Sequence, residues 1–303
     1  MIRALALALL LAPPAAAEGL TDPLRALLAA LPAAEVLRLD YAQPVALRPL
    51  STAPTGPEAA AEAVARATGP ALVPEVAAML GGINAALGLR AGDLDEMLRV
   101  TGEGFDWRLM RVHGLQWQRI GLALEARGFI LAPGYDLQIW ALGGEGEALP
   151  PAPGDPLGGA EGGPTRIAIA GDLVYRAPDW AGIAALSRPG PPRLAESETL
   201  LPLLAALDAA PVPEGSVLAS VVILPAGPMP FLIADIAAPG PDAGVLILPA
   251  AAPEEARALL DALAAGLPAG AEGRVSAAPL PTIVITGGGV YPAAFLLQTV
   301  LAE

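Results

Sequence analysis

The period of the apolar positions changes several times along the chain, and each change predicts an element. Asp22 followed by Pro23 opens a helix running to Leu31, with proline at the first helical position. Glu35 to Tyr41 places Val36, Leu37 and Leu39 among polar residues and reads as a strand. A proline-rich loop from Gln43 to Pro57 leads to two alanine-rich helices, Glu58 to Thr68 and Pro74 to Leu87, stopped by Gly69-Pro70 and by Gly88. Asp93 reads as the cap of a third short helix, in which Leu94, Met97 and Leu98 share one face. Trp107 to His113 predicts a strand and Gln116 to Arg127 an amphipathic helix ended by Gly128. Phe129 to Leu142 predicts a strand broken at Pro133 and Gly134.

Further on, Arg166 to Ala170 and Leu173 to Arg176 flank Gly171 and Asp172, a pair that closes a tight hairpin. A lone hairpin is marginal in water, and its nearest strand partner is Leu137 to Ala141. The Gly/Pro-rich stretch 143–164 is therefore read as a flexible loop inside one domain rather than as a linker. Ser187 to Glu196, with Pro189, Gly190, Pro191 and Pro192, marks the domain boundary. Beyond it the pattern gives a helix from Ser197 to Ala209 and apolar runs at Val217 to Leu224, Phe231 to Ala237 and Val245 to Leu248. A well-signalled helix from Pro253 to Leu267 follows, then strands at Arg274 to Ala278 and Thr282 to Thr286, and a closing helix from Tyr291 to Ala302. The expectation is an α+β protein: a first domain over 18–190 and a second over 191–303, with largely antiparallel sheets and helices packed on one face.

The first residues change the picture of where this fold works. Arg3, an apolar run from Ala4 to Ala12, and Ala15 to Ala17 ahead of Glu18 are the parts of a secretory signal peptide over 1–17, cleaved near Ala17. The reading is an exported, soluble protein of the periplasm or the extracellular medium. Two charge-free stretches compete with solubility. Gly215 to Asp235 is interrupted by Pro225, Gly227, Pro228 and Pro230, which suit a loop between buried strands and not a lipid-exposed span. Val275 to Ala302 is longer, and a C-terminal membrane anchor there is the competing reading; Pro279, Pro281, the glycines 287–289 and Pro292 argue against it.

Composition removes whole chemistries. With no cysteine there are no disulfides, no thiolate nucleophile and no thiolate zinc site. All 17 basic residues are arginine, so lysine-based covalent catalysis is absent. A formal charge of −14 repels phosphate backbones, and no basic cluster offsets it, so no nucleic-acid partner is expected. None of the six serines lies in a nucleophile elbow, and the one histidine, His113, reads as a surface or structural residue. Thr286 to Gly289 reads as a packed turn, since it lacks a dinucleotide fingerprint. No cofactor and no metal site are expected. Asp93, Asp95, Glu96 and Asp106 are the acidic group a carboxylate-dependent hydrolase would need, which is the alternative to a non-catalytic role.

One stretch stands out. Phe105 to Trp140 carries half of the chain's aromatic residues together with His113 and the arginines 108, 111, 119 and 127. Tryptophan and arginine are enriched where proteins recognise partners. The candidate binding residues are Trp107, His113, Trp117, Arg119, Tyr135 and Trp140, and the reading is a binding protein for an envelope partner or a small ligand. Trp117 and Arg119 stand about 200° apart on one helix, so at least one of them faces outward.

Overall fold

The structure is a computed structural model describing residues 19–44, 46, 93–114, 116–133, 137–150, 162–186, 192–227, 230–240, 242–249, 251–264, 266–267, 269–277 and 279–287. The segment 1–17 expected as a signal peptide, both helices expected between 58 and 87, Tyr135 and the helix expected from 291 lie outside them. Five α-helices are described: α1 (Asp22–Leu28), α2 (Trp117–Ala126), α3 (Trp180–Leu186), α4 (Leu201–Asp208) and α5 (Pro253–Ala264). The strands are β1 (Arg38–Ala42), β2 (Leu94–Gly102), β3 (Phe105–Val112), β4 (Ile130–Ala132), β5 (Gln138–Leu142), β6 (Thr165–Ala170), β7 (Leu173–Ala177), β8 (Val217–Leu224), β9 (Phe231–Ala237), β10 (Ala243–Ile247), β11 (Ala271–Ser276) and β12 (Thr282–Gly287).

All twelve strands join one sheet in the order β11-β12-β10-β9-β8-β1-β2-β3-β7-β6-β5-β4. Every pairing is antiparallel. The α+β class with antiparallel pairing is thus the observed one. Gly171 takes a φ of 62° at the β6–β7 turn, as the Gly-Asp pair requires, and β6 also pairs with β5. Pro225, Gly227 and Pro230 lie between β8 and β9, outside both strands.

Side-chain alternation sends each strand's residues to two cores. On one face Leu39, Leu98, Leu109, Val221, Ile236 and Val245 pack under α1, α3 and α4. On the other face α2 covers Met97, Met110, Ile167 and Trp140, and α5 covers Val222, Ile233, Leu246 and Ile283. The helices lie on both faces rather than on one, because the central strands are apolar on both sides and each side needs cover. That double burial is why β8, β9 and β10 read as continuous apolar runs.

The acidic stretch from Asp93 is corrected by the structure: it opens a strand, β2, and not a helix. A β-bulge between Leu94 and Glu96 inserts one residue, so Leu94 and Met97 reach the same face despite their odd spacing, while Leu98 turns to the other. The bulge imitates a helical spacing. The short helix α3 has no counterpart in the sequence reading. Its signal is Asp179, whose Oδ1 accepts the Gly182 N–H at 2.6 Å.

Residues before 190 supply one flank of the sheet and residues after 191 the other, and the flanks meet where Leu39 and Tyr41 of β1 face Ile223 and Val221 of β8. These four side chains share one apolar cluster. All four tryptophans, 107, 117, 140 and 180, lie before residue 190. Tryptophan emission therefore follows the first flank alone, while far-UV circular dichroism follows both. The shared cluster predicts coincident urea transitions by the two probes; separated transitions would support 18–190 and 191–303 as independent folding units.

Candidate functional site

The aromatic and arginine residues that are neighbours in sequence are divided by the sheet. Trp107 points from β3 to the face covered by α3, is only 6% exposed, and stacks on Phe105 with ring centroids 4.2 Å apart. Arg111 shares that face. Trp140 points from β5 to the opposite face, where α2 lies over it. Gly121 of α2 permits this contact: a Cβ there would stand 3.0 Å from the Trp140 ring carbon Cζ2.

Trp117 opens α2 and is 48% exposed. It lines a groove of about 320 Å³ together with Gln118, Gly121, Leu122, Glu125, Leu131, Gln138 and Trp140. Beside it Leu122 is 67% exposed and Leu131 48%, while Ile130, 73% exposed, points from the same strand to the opposite face of the sheet. Exposed aliphatic side chains in this density, beside an aromatic one, form an apolar patch of the kind that marks interaction sites. Among the described residues β4, which carries Ile130 and Leu131, is the last strand of the sheet and pairs only with β5. An edge strand of this kind is a template for another strand. Trp140 lines the groove, and its buried indole N–H has no hydrogen-bond partner among the described residues.

The structure brings together two of the six candidate residues, Trp117 and Trp140. Arg119 holds α2 to the start of β2 by donating from Nη2 to Asp93 Oδ2 at 2.6 Å, so its role is to fix the helix that carries Trp117. His113 sits past the end of β3 with its side chain 84% exposed, 3.8 Å from Asp95. Tyr135 is outside the described residues. Leu122, Leu131 and Gln138 were missed in the sequence. Leu122 carried a signal, as an apolar residue off the buried stripe of Ile120 and Leu124, but only tertiary structure lays β4 beside α2.

The acidic group does not converge. Glu96 lies on the face of Tyr41 and Arg111, accepting from the Tyr41 hydroxyl at 2.8 Å and from Arg111 Nη1 at 2.5 Å. Burial raises its pKa above the usual carboxylate value, against the lowering pull of Tyr41 and Arg111. Burial, with Glu96 beside it, also drives the Tyr41 hydroxyl far above its usual value. Asp106 points to the opposite face and takes both Arg99 Nε and Nη2, at 2.9 and 3.0 Å. Burial raises its pKa, but Arg99, Arg176 and Arg108 together outweigh burial and hold it below the usual value. Glu96 and Asp106 are therefore separated by the sheet and cannot act on one substrate atom. Asp40 forms a two-pronged pair with Arg38 on the Asp106 face, both contacts at 2.7 Å. Among the described residues no group of three histidine or carboxylate side chains is arranged to hold a metal ion, and no helix is long and apolar enough to cross a membrane.

No family model matches the chain, and no curated protein is similar to it. Among solved structures, the chain is similar to crystal form III of TP0453, with a TM-score of 0.45 and 9% identity over 91% of this chain and 98% of that one. It is similar to crystal form I of TP0453 at the same TM-score of 0.45, with 8% identity over 95% of this chain and 98% of that one.

Proposed function

We propose that this chain is an exported, non-catalytic binding protein of the envelope, which receives an extended apolar segment of a partner protein in the groove between α2 and β4. The observation that carries the reading is the half-exposed Trp117 beside Leu122 and Leu131, at the strand that ends the sheet among the described residues. An added strand would pair its backbone with β4, and its alternate side chains would reach the groove. Trp117 would be the anchor, since tryptophan in a desolvated pocket carries a large share of binding energy. The separation of Glu96 from Asp106 supports a non-catalytic role over the carboxylate-dependent hydrolase. Export rests on the sequence of residues 1–17, as does the placement in the periplasm or the medium.

Photo-crosslinking from position 122 in intact cells tests the proposal. A photoreactive residue at Leu122 should give one discrete adduct, and the same residue at Leu201, which is 38% exposed on the α4 side, should give none. Equal labelling from both positions, or none from 122, would contradict it.

A further inference from the structure

A cavity of about 400 Å³ lies at the end of the sheet opposite to β4. Its floor is formed by Glu272, Gly273 and Arg274 of β11 with Thr286 of β12, and its wall by Pro211, Val212 and Pro213, the segment that follows α4. In the β11–β12 register Glu272 stands opposite Thr286 and Arg274 opposite Val284. Alternation along a strand puts Glu272 and Arg274 on one face. That face is the one of α1 and α4, since Val284 belongs to the core beneath them. Gly273 is turned to the other face, where Leu260 of α5 lies against it.

Glu272 and Arg274 are exposed, opposite in charge and two positions apart, yet they do not pair. Neither has an ion-pair partner among the described residues. Arg274 Nη2 donates instead to the Pro211 carbonyl across the cavity. A carbonyl positions a guanidinium without cancelling its charge, and the other guanidinium N–H groups remain for a second acceptor. Pro211 and Pro213 fix φ on both sides of Val212, whose N–H donates to the Ala210 carbonyl at 2.8 Å, so the anchor of Arg274 is itself held. The cavity thus presents one cation and one anion, kept apart, beside an apolar wall.

This arrangement selects a zwitterion. A carboxylate alone would meet the Glu272 charge, an ammonium ion alone would meet the Arg274 charge, and a neutral polyol would leave both unmatched. The two side chains leave the strand roughly 7 Å apart. An ammonium and a carboxylate borne on one carbon, with a hydrogen bond of about 2.8 Å at each end, bridge that span. A guanidinium takes a carboxylate in two-pronged geometry, and the Thr286 hydroxyl beside Glu272 supplies a further acceptor for the ammonium.

We infer that this cavity binds a free α-amino acid with an aliphatic side chain, its carboxylate on Arg274, its ammonium on Glu272 and its side chain against Pro211, Val212 and Pro213. The site is independent of the α2–β4 groove. Exposed ion pairs are individually weak, so half-saturation in the millimolar range is expected. The test is nuclear magnetic resonance of the mature chain labelled with ¹⁵N, titrated with L-leucine at constant ionic strength. The backbone amide signals of Gly273 and Thr286 should move saturably while the indole signals of Trp117 and Trp140 stay in place. Two analogues each remove one charge: 4-methylpentanoate lacks the ammonium and leucinamide lacks the carboxylate. Each should need a several-fold higher concentration for half-saturation. In Glu272→Gln the preference for leucine over 4-methylpentanoate should disappear, and in Arg274→Met the preference over leucinamide. Both side chains are exposed, so a signal pattern otherwise unchanged will show that the variants are folded. Unmoved amides with leucine would overturn the inference. So would an analogue that binds as well as leucine, or a preference kept intact by either folded variant.

Discussion

Trp140→Ala is expected to destabilise the protein by about 3 to 5 kcal/mol, the range for deleting a buried aromatic side chain. Trp140 is 5% exposed and packs with Ile120, Leu124, Phe129 and Ile167 in the core beneath α2. Its ring touches the backbone of α2 at Gly121, so nothing nearby can move in without shifting the helix. The cavity left behind sets the loss, because packed cores collapse only partly. The midpoint of urea unfolding gives the number. A loss below about 1 kcal/mol would mean that α2 is not seated on β5 as described.

Arg111→Met should cost a comparable amount for a different reason. Glu96 is only 4% exposed and its carboxylate is held by Tyr41 and Arg111. Removing the guanidinium leaves a buried carboxylate with only the neutral donors Tyr41 and Gln43, and breaking a buried ion pair in this way costs about 3 to 5 kcal/mol. The second contact of Arg111, to Asp172 at 3.3 Å, adds little because Asp172 is 62% exposed. The pH dependence gives an independent check. Glu96 has a folded pKa above the ordinary value, so its contribution to stability is fully present below the unfolded pKa and is lost as pH rises through the folded one. Asp106 works in reverse, with its folded pKa below the ordinary value. It contributes above the unfolded pKa and is lost as pH falls through the folded one. The Asp106 term is common to parent and variant, so their difference isolates Glu96. That difference should shrink as pH is lowered and Glu96 takes up a proton, and Glu96→Gln in the Arg111→Met background should recover most of the loss. A difference independent of pH would contradict the pairing.

The parts of this fold that were readable in the sequence are those whose cause is local. Gly171-Asp172 fixes the β6–β7 turn by its own backbone preference, and Pro253 with Glu254 and Glu255 opens α5 where expected. The pairing of β1 with β8 was not readable, because those strands are far apart in the chain and nothing local selects the partner. The bulge in β2 produced a misleading local pattern, with Leu94 and Met97 on one face at a spacing that a regular strand would not allow. The same distinction holds for the site. Trp117 and Arg119 on one helix required an outward-facing residue, and Trp117 is half exposed. The alternation of β3 that sends Trp107 away from Trp140 was local too, but which face Trp140 takes depends on the β5–β6 register. Leu122 and Leu131 meet only through the packing of α2 beside the sheet's last strand.

The central claim is that Trp117 serves recognition and not the core, and the Trp117→Ala variant tests it most directly when stability and crosslinking are read on the same protein. With 48% of its surface exposed, Trp117 should be removable with a change in unfolding free energy of less than about 1 kcal/mol. The adduct formed from position 122 should then fall by at least 10-fold, as the loss of an anchor worth about 2 kcal/mol requires. A stability loss of core size, or an adduct formed at undiminished yield by a folded Trp117→Ala protein, would contradict the account.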